Sequence, residues 1–261
     1  MKLKFPSSFS VKYPKENLLY YSGRGKENIL KILMNSCNSY CMYCGKSIIT
    51  DSKEEFNIEH SLEKSMKIND NNFLENCKYN LSIACPSCNQ KYKTRMIDIL
   101  PQNLFENKID CLTKECTEPC DIFKTIFKEY IKLNNIILQP NVIESYLKDY
   151  IIEYDLFNHI FEPGEECSDL EARSFISNHI ARFHLNREMY TESVLRVCEK
   201  IYNNIKIFGS EISIEQIFKS VQKERYENVL EEIFMGFLKD NFKNTSILYD
   251  YCELTLILSY T

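Results

Sequence analysis

Apolar residues recur along this chain with two different periods, and the switch between them divides it. Ile29, Leu30, Ile32 and Leu33 fall at helical spacing within 27–34, which predicts a short helix. Before it, residues 1–25 hold prolines, a serine pair and Ser22-Gly-Arg-Gly25, the composition of an extended arm with turns. The pattern then shortens. Phe56-Asn-Ile-Glu-His60 and Asn80-Leu-Ser-Ile-Ala84 read as two short strands, and the polar, Asn-rich run 61–78 between them reads as loop. A helix is expected over 89–99, ended by Pro101.

Beyond Pro101 the helical period dominates. Residues 122–133, 168–183 and 188–207 read as helices, 143–154 is a further helix candidate, and 157–164 suits a strand and turn. Ser213-Ile-Glu-Gln216 is a capping-box signature. Behind it Ile217, Phe218, Val221, Leu230, Ile233, Phe234, Phe237 and Leu238 continue one face of a long helix. The expected fold class is α+β: an arm and helix over 1–36, a core of strand, loop, strand and helix over 37–101, and a mostly helical part over 102–261.

Composition narrows the class. With 261 residues, 44% hydrophobic and 26% charged, the chain can bury a sizeable core. No apolar run approaches the roughly 18 residues needed to span a bilayer. Met1-Lys-Leu-Lys-Phe-Pro6 lacks the apolar centre of a signal peptide. A cytoplasmic location with no membrane partner is therefore expected, and the twelve cysteines are thiols and metal ligands before they are disulfides. The net charge of −5 is unevenly spread: residues 1–110 hold 16 Lys+Arg against 12 Asp+Glu, or +4, and the remainder 16 against 25, or −9. A polyanion would meet the first part, while the acidic remainder would serve a protein partner.

Candidate chemistry concentrates between Cys41-Met-Tyr-Cys44 and Cys85-Pro-Ser-Cys88. Two Cys-x-x-Cys pairs are what a tetrahedral four-thiolate Zn²⁺ site needs. The insert between them, about forty residues, exceeds a plain zinc ribbon and carries Glu59 beside His60. A looser group, Cys111, Cys116 and Cys120, would make a second zinc site with Cys77, Cys167 or a histidine, or else consists of reduced thiols. Cys37 is a competitor for the first site. His159, His179 and His184 read as core or surface histidines.

The ordered set of Cys-x-x-Cys, Ile58-Glu-His60, Asn80-Leu and Cys85-x-x-Cys-Asn-Gln90 resembles an HNH endonuclease of the ββα-metal (His-Me finger) class, over residues 37–101. The resemblance implies that His60 is the general base, that Glu59 and Asn89 hold a catalytic Mg²⁺ or Mn²⁺, and that Asn80 braces the loop and orients His60. Zn²⁺ at Cys41, Cys44, Cys85 and Cys88 would then be structural. It also implies nucleic acid as substrate, DNA ahead of RNA. The run 172–187 with Arg196 is similar to the nuclease subunits of Septu-type anti-phage systems, some retron-linked, which work beside an ABC-type ATPase. One departure stands out: Glu63 lies where the family often has proline.

Plainer roles compete. Asn80 suits a turn, Asn89 suits a helix cap, and Lys91, Lys93 and Arg95 suit either a phosphate backbone or a solvated helix face. Adjacent strand residues point to opposite faces, so Glu59 and His60 share a metal only where the strand ends or twists. A stand-alone nuclease of restriction or mobile-element type, and a zinc-stabilised binding module without catalysis, are the alternative functions.

Overall fold

A computed structural model describes residues 1–16, 23–50, 53–62, 73–93, 115–132, 150–209, 212–223 and 225–259. In chain order its strands are β1 (Lys2–Phe5), β2 (Ile49–Thr50), β3 (Lys53–Glu54), β4 (Asn57–His60), β5 (Leu81–Ala84), β6 (Ile152–Asp155) and β7 (Ile160–Pro163). The helices are α1 (Gly23–Ser36), α2 (Phe73–Asn76), α3 (Asp121–Lys132), α4 (Leu170–Arg182), α5 (Glu188–Phe208), α6 (Ile214–Val221), α7 (Val229–Asn241) and α8 (Thr245–Ser259). A 3₁₀ turn covers Lys78–Asn80, and a π-helical turn covers Ser87–Tyr92. The chain is thus mixed α/β with small sheets. Among the described residues no helix is long and apolar enough to cross a membrane.

The largest sheet joins distant parts of the sequence. Strand β1 runs antiparallel to β6, with Lys2 opposite Asp155 and Phe5 opposite Ile152, and β7 closes the other edge of β6. Alternation explains the fit: Leu3 and Phe5 are buried, while Lys2 meets Glu162 at 2.7 Å and Lys4 meets Glu166 at 3.1 Å. The N-terminal arm is therefore partly strand. The helix expected over 143–154 is overturned in its described part, because Ile152–Asp155 is a central strand buried at every position.

Two other expectations change. Within the run 61–78 the described part holds α2 and the 3₁₀ turn; Glu63 lies outside the described residues, as do Arg95 and 94–100, the end of the helix expected over 89–99. The long helix behind Ser213 is two helices. The capping box at Ser213 is present, but α6 stops at Gln222, and the Asn228 side chain starts α7 by accepting from Glu231 N at 3.0 Å. Helix α8, which the hydrophobic pattern did not single out, packs on α5 through the stacked rings of Tyr202 and Tyr249, 4.8 Å apart. Buried residues from Leu3 to Cys252 form one connected core, to which all three expected segments contribute.

Candidate metal centre and active site

Strands β4 and β5 form an antiparallel hairpin in which Asn57 faces Ala84, Glu59 faces Ser82 and His60 faces Leu81. The first Cys-x-x-Cys turn joins this hairpin directly, since Met42 N donates to Ile83 O at 3.0 Å. The second turn follows β5 at once. The hairpin thereby carries Cys41 and Cys44 to Cys85 and Cys88, whose four sulfurs all lie within 4.8 Å of one another. Cys44 Sγ and Cys85 Sγ are 3.8 Å apart, which is about the edge of a tetrahedron with Zn–S bonds of about 2.3 Å. All four cysteines are buried, and this set could hold a metal ion such as zinc. Burial holds the Cys41 thiol up, whereas hydrogen bonding from Cys41 holds Cys44 and Cys85 down. So crowded a set of sulfurs is suited to a cation that takes all four as thiolates.

Each turn is shaped locally and anchored from outside. Gly45 N donates to Cys41 O and Cys41 N to Lys46 O, both at 2.8 Å. Gly45 has φ +68°, and a Cβ there would lie 2.5 Å from Val229 Cγ1 and 2.7 Å from Phe5 Cζ, so no larger residue fits. In the second turn Asn89 N donates to Cys85 O at 3.1 Å. Two helices grip the first turn. His179 Nε2 lies 2.9 Å from Tyr43 O, and Tyr190 Oη donates to Cys44 O. Because a carbonyl only accepts, His179 carries its proton on Nε2. Burial lowers its pKa to about 4.

The opposite faces of β4 separate Glu59 from His60. His60 is 6% exposed and its Nε2 lies 3.0 Å from Glu75 O in the helical turn α2. Because a carbonyl only accepts, His60 carries a proton on Nε2. Glu59, 1% exposed, points inward. Its Oε2 accepts from Ser82 Oγ at 2.7 Å and from Tyr43 Oη, while its Oε1 meets the Lys93 ammonium. Lys93 also donates to His60 O. Burial pulls Lys93 down to about 7, and the Glu59 carboxylate beside it favours the charged form. The reading of Lys93 as part of a phosphate-facing or solvated helix face is thus corrected: at 6% exposure it turns inward from the π-helical turn and reaches back to the hairpin. Lys91 does stay exposed.

Asn80 ties the loop that leaves the hairpin. Its Oδ1 accepts from Leu62 N at 2.7 Å, and its Nδ2 donates to Leu62 O at 2.8 Å and Leu74 O at 2.9 Å. Its backbone carbonyl accepts from Ser61 N at 2.9 Å, next to His60. Asn89 is half-buried on the π-helical turn, one turn before Lys93. Sequence reasoning named Glu59, His60, Asn80 and Asn89 but missed Tyr43 and Ser82; His179, read as a core or surface histidine, is a core one. Ser82 was findable, since it pairs with Glu59 once the hairpin register is known.

The second cysteine group does not assemble among the described residues. The four-cysteine set is the one metal-capable His/Cys/Asp/Glu group found there; Cys111 lies outside them, and Cys116 and Cys120 are half-buried. Cys37 is also outside the set. Its pKa is pushed up to about 11 by burial. These features define a mixed α/β chain with a four-cysteine cluster at a β-hairpin that could hold a metal ion. No known protein family, curated protein or solved structure matches the chain.

Proposed function

We propose that the chain is a metal-dependent HNH-type endonuclease that hydrolyses phosphodiester bonds, with structural Zn²⁺ on Cys41, Cys44, Cys85 and Cys88. The observation that carries this reading is His60, held at the end of a hairpin by its Nε2 contact with the Glu75 carbonyl, an imidazole fixed in place as a general base must be. In this reading water loses its proton to His60 Nδ1 and attacks phosphorus, while Asn80 keeps the adjoining loop in place. Glu59 and Asn89 would hold the divalent Mg²⁺ or Mn²⁺. Such an ion supplies positive charge at the phosphate and at the departing oxygen. The donor set, one carboxylate and one amide oxygen, is the hard-oxygen chemistry that these ions take. Lys93 now neutralises Glu59, so in this reading the ion would have to displace the Lys93 ammonium from the carboxylate.

In this proposal the acidic helical part serves an ABC-type ATPase partner, and the activity belongs to anti-phage defence. The test is plasmid nicking with Mg²⁺ or Mn²⁺, with and without that partner, comparing wild type with His60→Ala. Cleavage that His60→Ala abolishes supports the reading. A folded wild type that cuts neither DNA nor RNA with its partner present ends it. A second reading, a zinc-stabilised binding module, is favoured by the Glu59–Lys93 pair, which closes the carboxylate to solvent.

A further inference from the structure

A groove of about 460 Å³ runs between strand β7 and the end of helix α4, lined by Phe161, Ile180, His184 and Arg187 among others. It adjoins the π-helical turn that bears Asn89. The Tyr92 ring of that turn lies 4.7 Å from the His184 ring, and Lys91 Nζ and Arg187 Cζ lie 5.6 and 5.7 Å from its centroid. Among the polar groups of the groove, Asn186 bonds the Phe161 backbone, Glu162 pairs with Lys2, and Arg187 Nη2 donates to Tyr190 Oη at 3.3 Å. Arg187 Nε is buried with no hydrogen-bond partner. The groove therefore presents an exposed imidazole backed by an aromatic ring, flanked by two cations.

His184 sits there at a conformational cost. Helix α4 ends in a Schellman arrangement, with Leu185 N donating to Ile180 O at 3.0 Å and His184 N to Ala181 O at 3.2 Å. The residue between takes φ +50°, where glycine is the usual choice. A histidine kept in this position places its ring on Tyr92.

We propose that this groove binds a single nucleic-acid strand, one base stacking on His184 and adjoining phosphates meeting Lys91 and Arg187. Stacking platforms flanked by cations are the general means of holding single strands without reading sequence. The proposal deepens the nuclease reading by supplying a strand path beside the Asn89 turn, and it rests on that reading for its biological meaning.

The experiment is fluorescence anisotropy of the full-length chain with a short labelled single-stranded oligonucleotide in Ca²⁺, with nicking in Mg²⁺ measured alongside. His184→Gly with Lys91→Gln is expected to weaken binding roughly five- to a hundredfold and to lower its salt dependence. Its melting temperature should stay near wild type, since glycine suits the backbone at 184. Lys91→Gln alone, on an exposed side chain, repeats the test should the double variant misfold. A wild type that binds no oligonucleotide, or folded variants that bind as wild type does, overturn the groove. Binding of labelled polyglutamate, with no oligonucleotide bound, would overturn the proposal and assign the groove to an acidic protein instead. A wild type that binds through the groove and never cuts ends the nuclease reading but leaves the groove. One that cuts while groove variants bind normally does the reverse.

Discussion

The Lys93 ammonium meets the Glu59 carboxylate inside the core, where 6% and 0% of the two side chains are exposed. Removing one partner of a buried pair strands the other, at a cost of about 3–5 kcal/mol. Lys93→Met and Glu59→Gln should each lower the unfolding free energy measured in urea by that amount. The double variant should lose less than their sum; additive losses would show that the pair is not coupled. A divalent ion on Glu59 would compete with Lys93 for one carboxylate. Calorimetric titration of Mn²⁺ into Lys93→Met should therefore show tighter binding than into wild type. Equal affinities would place the ion elsewhere.

The four sulfurs are expected to retain about one zinc per chain after purification, measured by release to a chromogenic chelator on thiol modification. Cys88→Ser should lose most of this metal. It should also loosen the hairpin, seen as faster amide exchange at Met42 and Ile83. Retention of zinc in the serine variant would mean that the metal sits on other ligands.

His179 makes the fold sensitive to acid. Its pKa in the folded state is about 4, against an ordinary 6.5. Below pH 6.5 the unfolded chain takes up a proton that the folded chain refuses, so stability falls as pH drops from about 6.5 to about 4. The full loss is about 3 kcal/mol. His179→Gln keeps a donor for Tyr43 O and has no proton to take up. Its urea midpoint should change less over this range than that of wild type, and parallel curves would exclude His179 as the cause.

Gly45→Ala combines a disfavoured φ with contacts on Val229 and Phe5. A loss of about 2 kcal/mol or more in thermal or urea unfolding is expected, together with weaker zinc retention, because Gly45 closes the turn that holds Cys44. Unchanged stability would mean that the turn relaxes without consequence.

What could be read from the residues was mostly local. The cysteine spacing marked the cluster because four ligands on two tight turns leave a fixed imprint, and the capping box at Ser213 announced a helix within four residues. The pairing of Phe5 with Ile152 left no such mark, since each strand is only four residues long and its partner is distant. The break after Val221 was hidden because apolar residues continue in phase on both sides, and only the Asn228 cap reveals a new start. Residues 152–154 read as the end of a helix because a strand buried on both faces loses its alternation. Lys93 was misread for a related reason: charge predicts exposure, and its inward course depends on a carboxylate from another element.

The register of the three-stranded sheet also orders events during synthesis. The Cys41–Cys88 region leaves the ribosome well before Asp155, so its sulfurs can gather a metal while later helices are still unmade. Lys2–Phe5, translated long before its partner, must wait for Ile152–Asp155 before it can pair. A nascent chain stalled between these points would carry its four cysteines together and an unpaired β1, and that strand edge is where misassociation between growing chains would start.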